Sequence, residues 1–188
     1  MMYGLLTTAA LLFAMQFLFN QQFRKLNGDG DDSTVIFAGY THGISFVIML
    51  IISGFKLEIT WFSLLVSVIY ALVVLGYNYS SLKAFSTANL SVFSIYAMLG
   101  GMLLPLAYGI ICCKEEINIF KIFCIILIGI ATAMSFEKSE TKGSTFKYYI
   151  AVFFLNGMVG VLSKIHQSNT SLAVDSKSFM ATVNACVF

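Results

Sequence analysis

The chain has 188 residues, of which 59% are hydrophobic, 15% aromatic and 11% charged, with four Cys, one Pro and a formal net charge of +2. Soluble domains run at roughly 45–50% apolar and about 25% charged, so a mean hydropathy of +0.87 excludes an ordinary soluble fold. One compact core of this length cannot hide so much apolar surface, and the missing solvent is lipid. The small, scattered charge excludes a nucleic-acid partner, and the Cys spacing offers no metal-ligand pattern.

Six long apolar stretches, residues 3–19, 35–52, 61–77, 84–111, 120–136 and 146–163, reach or approach the roughly 17 residues that span a bilayer. They are expected to be helices, because in hydrocarbon every backbone amide needs an internal partner and none of them alternates like a barrel strand. The first gap, residues 20–34, holds Asn27-Gly28-Asp29-Gly30-Asp31-Asp32, which favours turns over a continuing helix and belongs in water. Trp61, Tyr77, Tyr79, Tyr148 and Tyr149 fall at segment ends, where amphipathic rings suit the headgroup layer. The fourth stretch has 28 residues, about 42 Å of helix, more than the hydrocarbon thickness, so it calls for a tilt, a kink or a protruding end. Pro105 supplies the kink by freeing the Gly101 carbonyl, and Gly100-Gly101 admits a neighbouring backbone. Asn118 is typed to cap the fifth helix, with Glu115 and Glu116 where a helix N-terminus favours negative charge. Lys164 at the end of the sixth is expected to snorkel. The adjacent Cys112-Cys113 reads as packing thiols at an apolar helix end.

Six alternating spans divide the cations almost evenly. One side receives Arg24, Lys25, Lys83, Lys138, Lys142 and Lys147, and the other Lys56, Lys114, Lys121, Lys164 and Lys177. Charge therefore does not set the orientation. Such balance is expected of halves inserted in opposite senses. A shift of 143 residues lays Leu11-Leu12-Phe13-Ala14 over Phe154-Leu155-Asn156-Gly157 and Val35 over Ser178. Each copy runs from an apolar helix through an amide-rich or basic exit and an acidic loop residue (Asp32; Asp175) into a second apolar run. Five spans per repeat reverse the second copy, the inverted construction of secondary transporters. The last run, residues 179–188, covers only about half of a 30 Å core, so the chain reads as truncated from a form of about ten spans.

The run Ser81-Leu82-Lys83-Ala84-Phe85-Ser86-Thr87-Ala88-Asn89-Leu90, then Gly100-Gly101, Pro105, Lys114-Glu115-Glu116-Ile117-Asn118 and Gly129, resembles the EamA-type repeat of the drug/metabolite transporter superfamily. Glu115 stands at that family's turn glutamate and Asn118 at its threonine, with Lys114 replacing the glycine before them and Cys124 replacing a glycine early in the fifth helix. The resemblance implies an all-α, polytopic inner-membrane protein. Residues 1–145 form a complete five-helix repeat and residues 146–188 begin the second, inverted one. It further implies cytoplasmic termini and alternating access for a small metabolite or drug-like solute. The small multidrug members carry an intramembrane glutamate in their first helix; here that helix offers only Gln16, so proton antiport does not carry over.

Polar groups at membrane depth face a cavity or join helices. From Gln16, Asn20, Tyr40, Asn78, Asn89, Ser94, Tyr96, Tyr108 and Asn156, together with His42, the one titratable side chain near neutral pH inside a span, the selection for a solute path is Gln16, His42, Asn89, Tyr96 and Asn156. Gly100, Gly101 and Pro105 are its hinge or a close helix contact, and Glu115 and Asn118 its structural turn. This lining suits an uncharged or zwitterionic solute. No catalytic set and no cofactor or metal motif is present, so an enzyme is not expected. The partners are the bilayer and a small solute, with a homodimer open. The alternative is a non-transporting subunit or half-transporter that needs a second chain.

Overall fold

The computed structural model describes residues 2–28, 30–85, 90–116, 118–136 and 143–188. The described chain is all helix and turn: α1 Met2–Asn27, α2 Asp31–Ile52, α3 Trp61–Ala84, α4 Leu90–Ile111, α5 Ile119–Phe136, α6 Gly143–Ser168 and α7 Ser176–Val187. Each apolar stretch read from the sequence falls within one helix, apart from residues 84–89. Ala84 closes α3 and α4 opens at Leu90. The described fourth helix has 22 residues, about 33 Å, which matches a bilayer core; residues 86–89 of the sequence stretch lie outside the described residues.

Four helical stretches among the described residues are long and apolar enough to cross a membrane: Asp32–Ile52, Trp61–Ala84, Val92–Ile111 and Phe146–Ser168. The first has a mean hydropathy of 2.1 over a window only 6% buried within the protein. Water does not tolerate so much exposed hydrocarbon, and the chain is a membrane protein on this ground. Of the six expected spans, the remaining two are α1 and α5. Thr7, Thr8, Gln16, Asn20, Gln21 and Gln22 dilute α1.

The helix ends follow from local chemistry. Gly28 at φ +78° ends α1, with its N–H on the Arg24 carbonyl at 2.8 Å, the simple left-handed cap. Ser33 in the first turn of α2 donates to the Asn27 carbonyl at 2.7 Å. The turn-rich interval therefore breaks the helix only around Gly28–Gly30, and Asn20, Ser33 and Thr34 are buried in protein rather than held in water. Gly54 at φ +64° closes α2 with Phe55 N–H on Leu50 O and Gly54 N–H on Ile51 O, both at 3.0 Å, a Schellman pair. Arg24 Nη1 donates to the Phe85 carbonyl at 2.6 Å, placing a cation on the C-terminus of α3.

Helix α6 is the hub, packing most extensively on α4 and next on α3, while α7 lies across α2 and α3. Two apolar cores sit at opposite ends of the antiparallel α3–α6 pair. One joins Val66, Tyr70 and Val74 to Leu162, Phe179 and Val183; the other joins Ala84 and Phe85 to Phe17, Phe93, Tyr149 and Val152. The α4–α6 contact is backbone-close. A Cβ on Gly100 would overlap the Phe153 carbonyl, one on Gly157 would lie 2.7 Å from Gly100 O, and one on Gly160 would strike the Pro105 ring. Gly100, Gly101 and Pro105 are thus the α4 side of a tight seam, the small-residue packing that membrane helices use.

Several expected placements change. Trp61 and Tyr79 are exposed as headgroup residues should be, but Tyr149 is buried and Tyr77 lines an internal cavity. Cys112 is exposed rather than packed. Lys164 does not snorkel: its Nζ lies 2.6 Å from Glu115 Oε1 and 3.4 Å from the Pro105 carbonyl. Gly109 leaves the room, since a Cβ there would meet both side chains. Glu115 thereby ties the end of α4 to α6.

Candidate functional site

Between the two cores, at the middle of α3 and α6, a cavity of about 600 Å³ opens, within the usual size of small-molecule sites. Four helices supply its walls: Gln16 and Asn20 from α1; Phe37, Thr41, His42, Ile44 and Ser45 from α2; Val74, Tyr77 and Asn78 from α3; Asn156 and Val159 from α6. Spacings of three and four bring these residues onto one face of each helix. The site is at mid-helix because the polar side chains are, and helix interiors of spanning length put them at mid-depth.

His42 is the most constrained of these groups. Asn184 on α7 donates from Nδ2 to the Met180 carbonyl at 2.8 Å, which turns its Oδ1 outward, 2.7 Å from His42 Nδ1. With an acceptor there, Nδ1 carries the proton, leaving Nε2 a bare acceptor for Asn78 Nδ2 at 3.4 Å. The ring is thereby oriented by α7 and held at the cavity wall beside α3. On the α6 wall, Asn156 Nδ2 donates to the Ala97 carbonyl of α4 at 2.6 Å, leaving its Oδ1 unused by that bond. Thr41 satisfies itself on the Phe37 carbonyl at 2.7 Å.

Among the described residues, none that lines the cavity is Asp, Glu, Lys or Arg, and no cluster of three His, Cys, Asp or Glu is arranged to hold a metal. The surface is carboxamide, hydroxyl, phenol and imidazole, with Phe37 and Val74 as apolar walls. No protein-family model, curated protein or solved structure matches the chain. What the site can do therefore rests on its own chemistry: hold a polar molecule of low charge away from lipid.

Of the five residues selected from the sequence for a solute path, Gln16, His42 and Asn156 converge here. Tyr96 does not: it stacks on Tyr149 with ring centroids 5.2 Å apart, beside the core at the far end of α6. Asn89 lies outside the described residues. Asn118 directly precedes α5, its carbonyl accepting from Ile122 N–H at 3.3 Å, the bond expected of a residue at the N-cap.

Five residues were overlooked or passed over, four at or beside the cavity and one away from it. Asn20 was placed at the exit of a helix that runs seven residues further, and one turn after Gln16 it shares the same face. Thr41 and Ser45, also four apart, repeat that signal on α2. Asn184 carried no local mark beyond being polar in an apolar run. His166 escaped because α6 extends to Ser168. It is a second histidine inside a spanning stretch, 1% exposed, stacked at 3.8 Å on Phe179 and bonded to Ser63 Oγ at 2.9 Å. Ser63 Oγ also accepts from Val174 N–H at 3.2 Å and lies 2.9 Å from Thr60 Oγ1. That cluster pins the α6–α7 turn to the start of α3 and is remote from the cavity.

Proposed function

We propose that the chain is a secondary transporter of the EamA type that moves a small uncharged or zwitterionic solute across a cell membrane by alternating access, and not an enzyme. The observation that carries this reading is the mid-helix cavity. Polar residues from four spanning helices gather around one space at mid-helix, and several of them also bond across helices there. In this reading the cavity is the solute site. The Gly100–Gly101–Pro105 seam against Gly157 and Gly160 is the contact about which α4 and α6 rock. The six spans form one complete repeat and the start of an inverted second.

Two further features support it. Lys114 stands where the family has a glycine, and its φ is +52°, the left-handed backbone that glycine adopts without strain. The turn keeps the geometry although the residue has changed. Helices α2 and α7, equivalent under the 143-residue offset, pack on one another. Their closest polar link, His42 to Asn184, spans 142 positions, within one residue of that offset. Packing of the two corresponding helices on one another is compatible with an inverted repeat.

The test is solute release. Proteoliposomes containing the full chain and loaded with a mixture of neutral and zwitterionic small metabolites are assayed by mass spectrometry of the external medium. Selective loss of one class of solute, removed by His42→Ala and by Asn156→Leu at equal protein content, is the expected outcome. Release no faster than from protein-free liposomes refutes the proposal.

A further inference from the structure

The inference concerns which solute the cavity takes, and it rests on reading that cavity as the solute site. Asn20 is 8% exposed, and the exposure it keeps is toward the cavity it lines. Among the described residues it has no hydrogen-bond partner. Its carboxamide borders the cavity, so a molecule there can reach both its donor and its acceptor. Its neighbours are bonded elsewhere. Asn78 is engaged with His42, Asn156 with the Ala97 carbonyl, and Thr41 with the Phe37 carbonyl. Elsewhere on the lining, the groups not used by these bonds are the Asn156 Oδ1 and Asn78 Oδ1 acceptors and the Gln16 amide and Ser45 hydroxyl, which donate as well as accept.

The chemistry of that array discriminates. A carboxylate brought here finds no Lys or Arg, and the imidazole beside it is engaged at Nδ1 by Asn184 and at Nε2 by Asn78. An ammonium group finds acceptors but no carboxylate. A zwitterion has both difficulties, and unpaired charge in a low-dielectric cavity is the most expensive state available. A carboxamide, by contrast, places one N–H donor and one C=O acceptor side by side. Its full complement is another such edge running the opposite way: a primary amide, a lactam or a ureide, pairing through two parallel hydrogen bonds. The apolar walls of Phe37 and Val74 accept the rest of such a molecule. We infer that the cavity takes an uncharged solute bearing a primary-amide, lactam or ureide edge, and that Asn20 is the specificity-determining residue that pairs with it.

The experiment is equilibrium binding to the purified full chain in lipid nanodiscs, with radiolabelled nicotinamide and uracil as amide and lactam probes and with nicotinate and orotate as their carboxylate counterparts. Nicotinamide and uracil should bind and displace each other, and nicotinate should bind at least about tenfold more weakly than nicotinamide, as expected for a charge without a partner. Asn20→Leu should weaken nicotinamide binding by roughly 5–150-fold, the loss of hydrogen bonding to one buried group. Asn20→Asp keeps the acceptor and removes the donor, so in folded protein it should weaken nicotinamide binding while keeping the preference for nicotinamide over its N,N-dimethylamide, whose blocked nitrogen cannot donate to the carboxylate. Leu127→Ala, on the exposed face of α5, should bind as wild type does. Equal binding of nicotinamide and nicotinate, or no binding of either neutral probe at millimolar concentration, overturns the inference. So does wild-type binding by a folded Asn20→Leu. Amide binding without flux in liposomes keeps the inference and removes the transport reading. Flux of other solutes that ignores both probes does the reverse.

Discussion

Replacing Gly100 by Ala adds one methyl group where the structure has no space for it. A Cβ at Gly100 would stand 2.6 Å from the carbonyl carbon and 2.8 Å from the Cα of Phe153, with the carbonyl oxygen nearer still, whereas ordinary contact begins at 3.4 Å. The obstacle is backbone inside a helix, so no rotamer change relieves it, and α6 must retreat from α4 by roughly 1 Å, a gap that forfeits a quarter to a half of each dispersion contact along the seam. Overpacking of this kind costs about 1–3 kcal/mol. The 2.6 Å bond from Asn156 to the Ala97 carbonyl stretches with it, at about 1 kcal/mol. Together that is roughly 2–4 kcal/mol, or about 4–16 °C in melting temperature for a chain of this size. The assay is the midpoint of thermal aggregation in detergent, followed by size-exclusion chromatography. Gly129→Ala serves as control, because nothing lies within 4 Å of the added atom and helix propensity there favours Ala by about 1 kcal/mol. If Gly100→Ala melts with Gly129→Ala, the seam is not the close contact described and the reasoning fails.

The remaining predictions concern the turn, the ion pair and the histidine. Lys114→Gly should raise the same midpoint by about 2–8 °C, since a non-glycine residue at φ +52° bears roughly 1–2 kcal/mol of left-handed strain; a lowered midpoint contradicts it. A double-mutant cycle of Glu115→Gln and Lys164→Met should show a coupling of about 1 kcal/mol, the partly exposed pair being discounted for screening, and additivity of the two changes would dissolve the link between α4 and α6. Asn184→Leu removes the acceptor that fixes the His42 tautomer. The histidine Cδ2 and Cε1 carbon shifts in solution NMR should then report a mixture of Nδ1–H and Nε2–H forms, where the wild type reports one; unchanged shifts would show that α7 does not orient the ring.

How much of this was legible in the sequence depended on the range of the interaction. Helix positions were readable because an apolar stretch of bilayer length has no other way to satisfy its backbone. The Gly100–Pro105 seam was readable as a place for close approach, though not which helix would fill it. Gln16, His42 and Asn156 were found because each is a lone polar group at mid-helix. Asn20 was mislaid with the end of α1: polarity was taken as the exit from the membrane, while the helix continues to Asn27 with its polar face turned inward. Glu115 and Lys164, and likewise His42 and Asn184, are partners only through tertiary packing. Nothing within a few residues of either marks the pairing, although the near-match of 142 positions to the repeat offset was available for the second. Tyr96 failed because an aromatic hydroxyl residue serves equally well in a ring stack, and period alone does not separate that from a cavity wall.

The most direct measurement of the central claim is solvent access to the cavity from both sides of the membrane. In a chain with Cys112, Cys113, Cys124 and Cys186 replaced by Ser, Gln16→Cys and Asn156→Cys are introduced singly and exposed to a membrane-impermeant thiol reagent, first outside sealed right-side-out vesicles and then outside inverted ones. Alternating access predicts labelling of both positions in both orientations, with Val47→Cys on the exposed face of α2 unlabelled in either. Labelling from one side only, or from neither, would contradict it and leave the cavity a closed structural pocket.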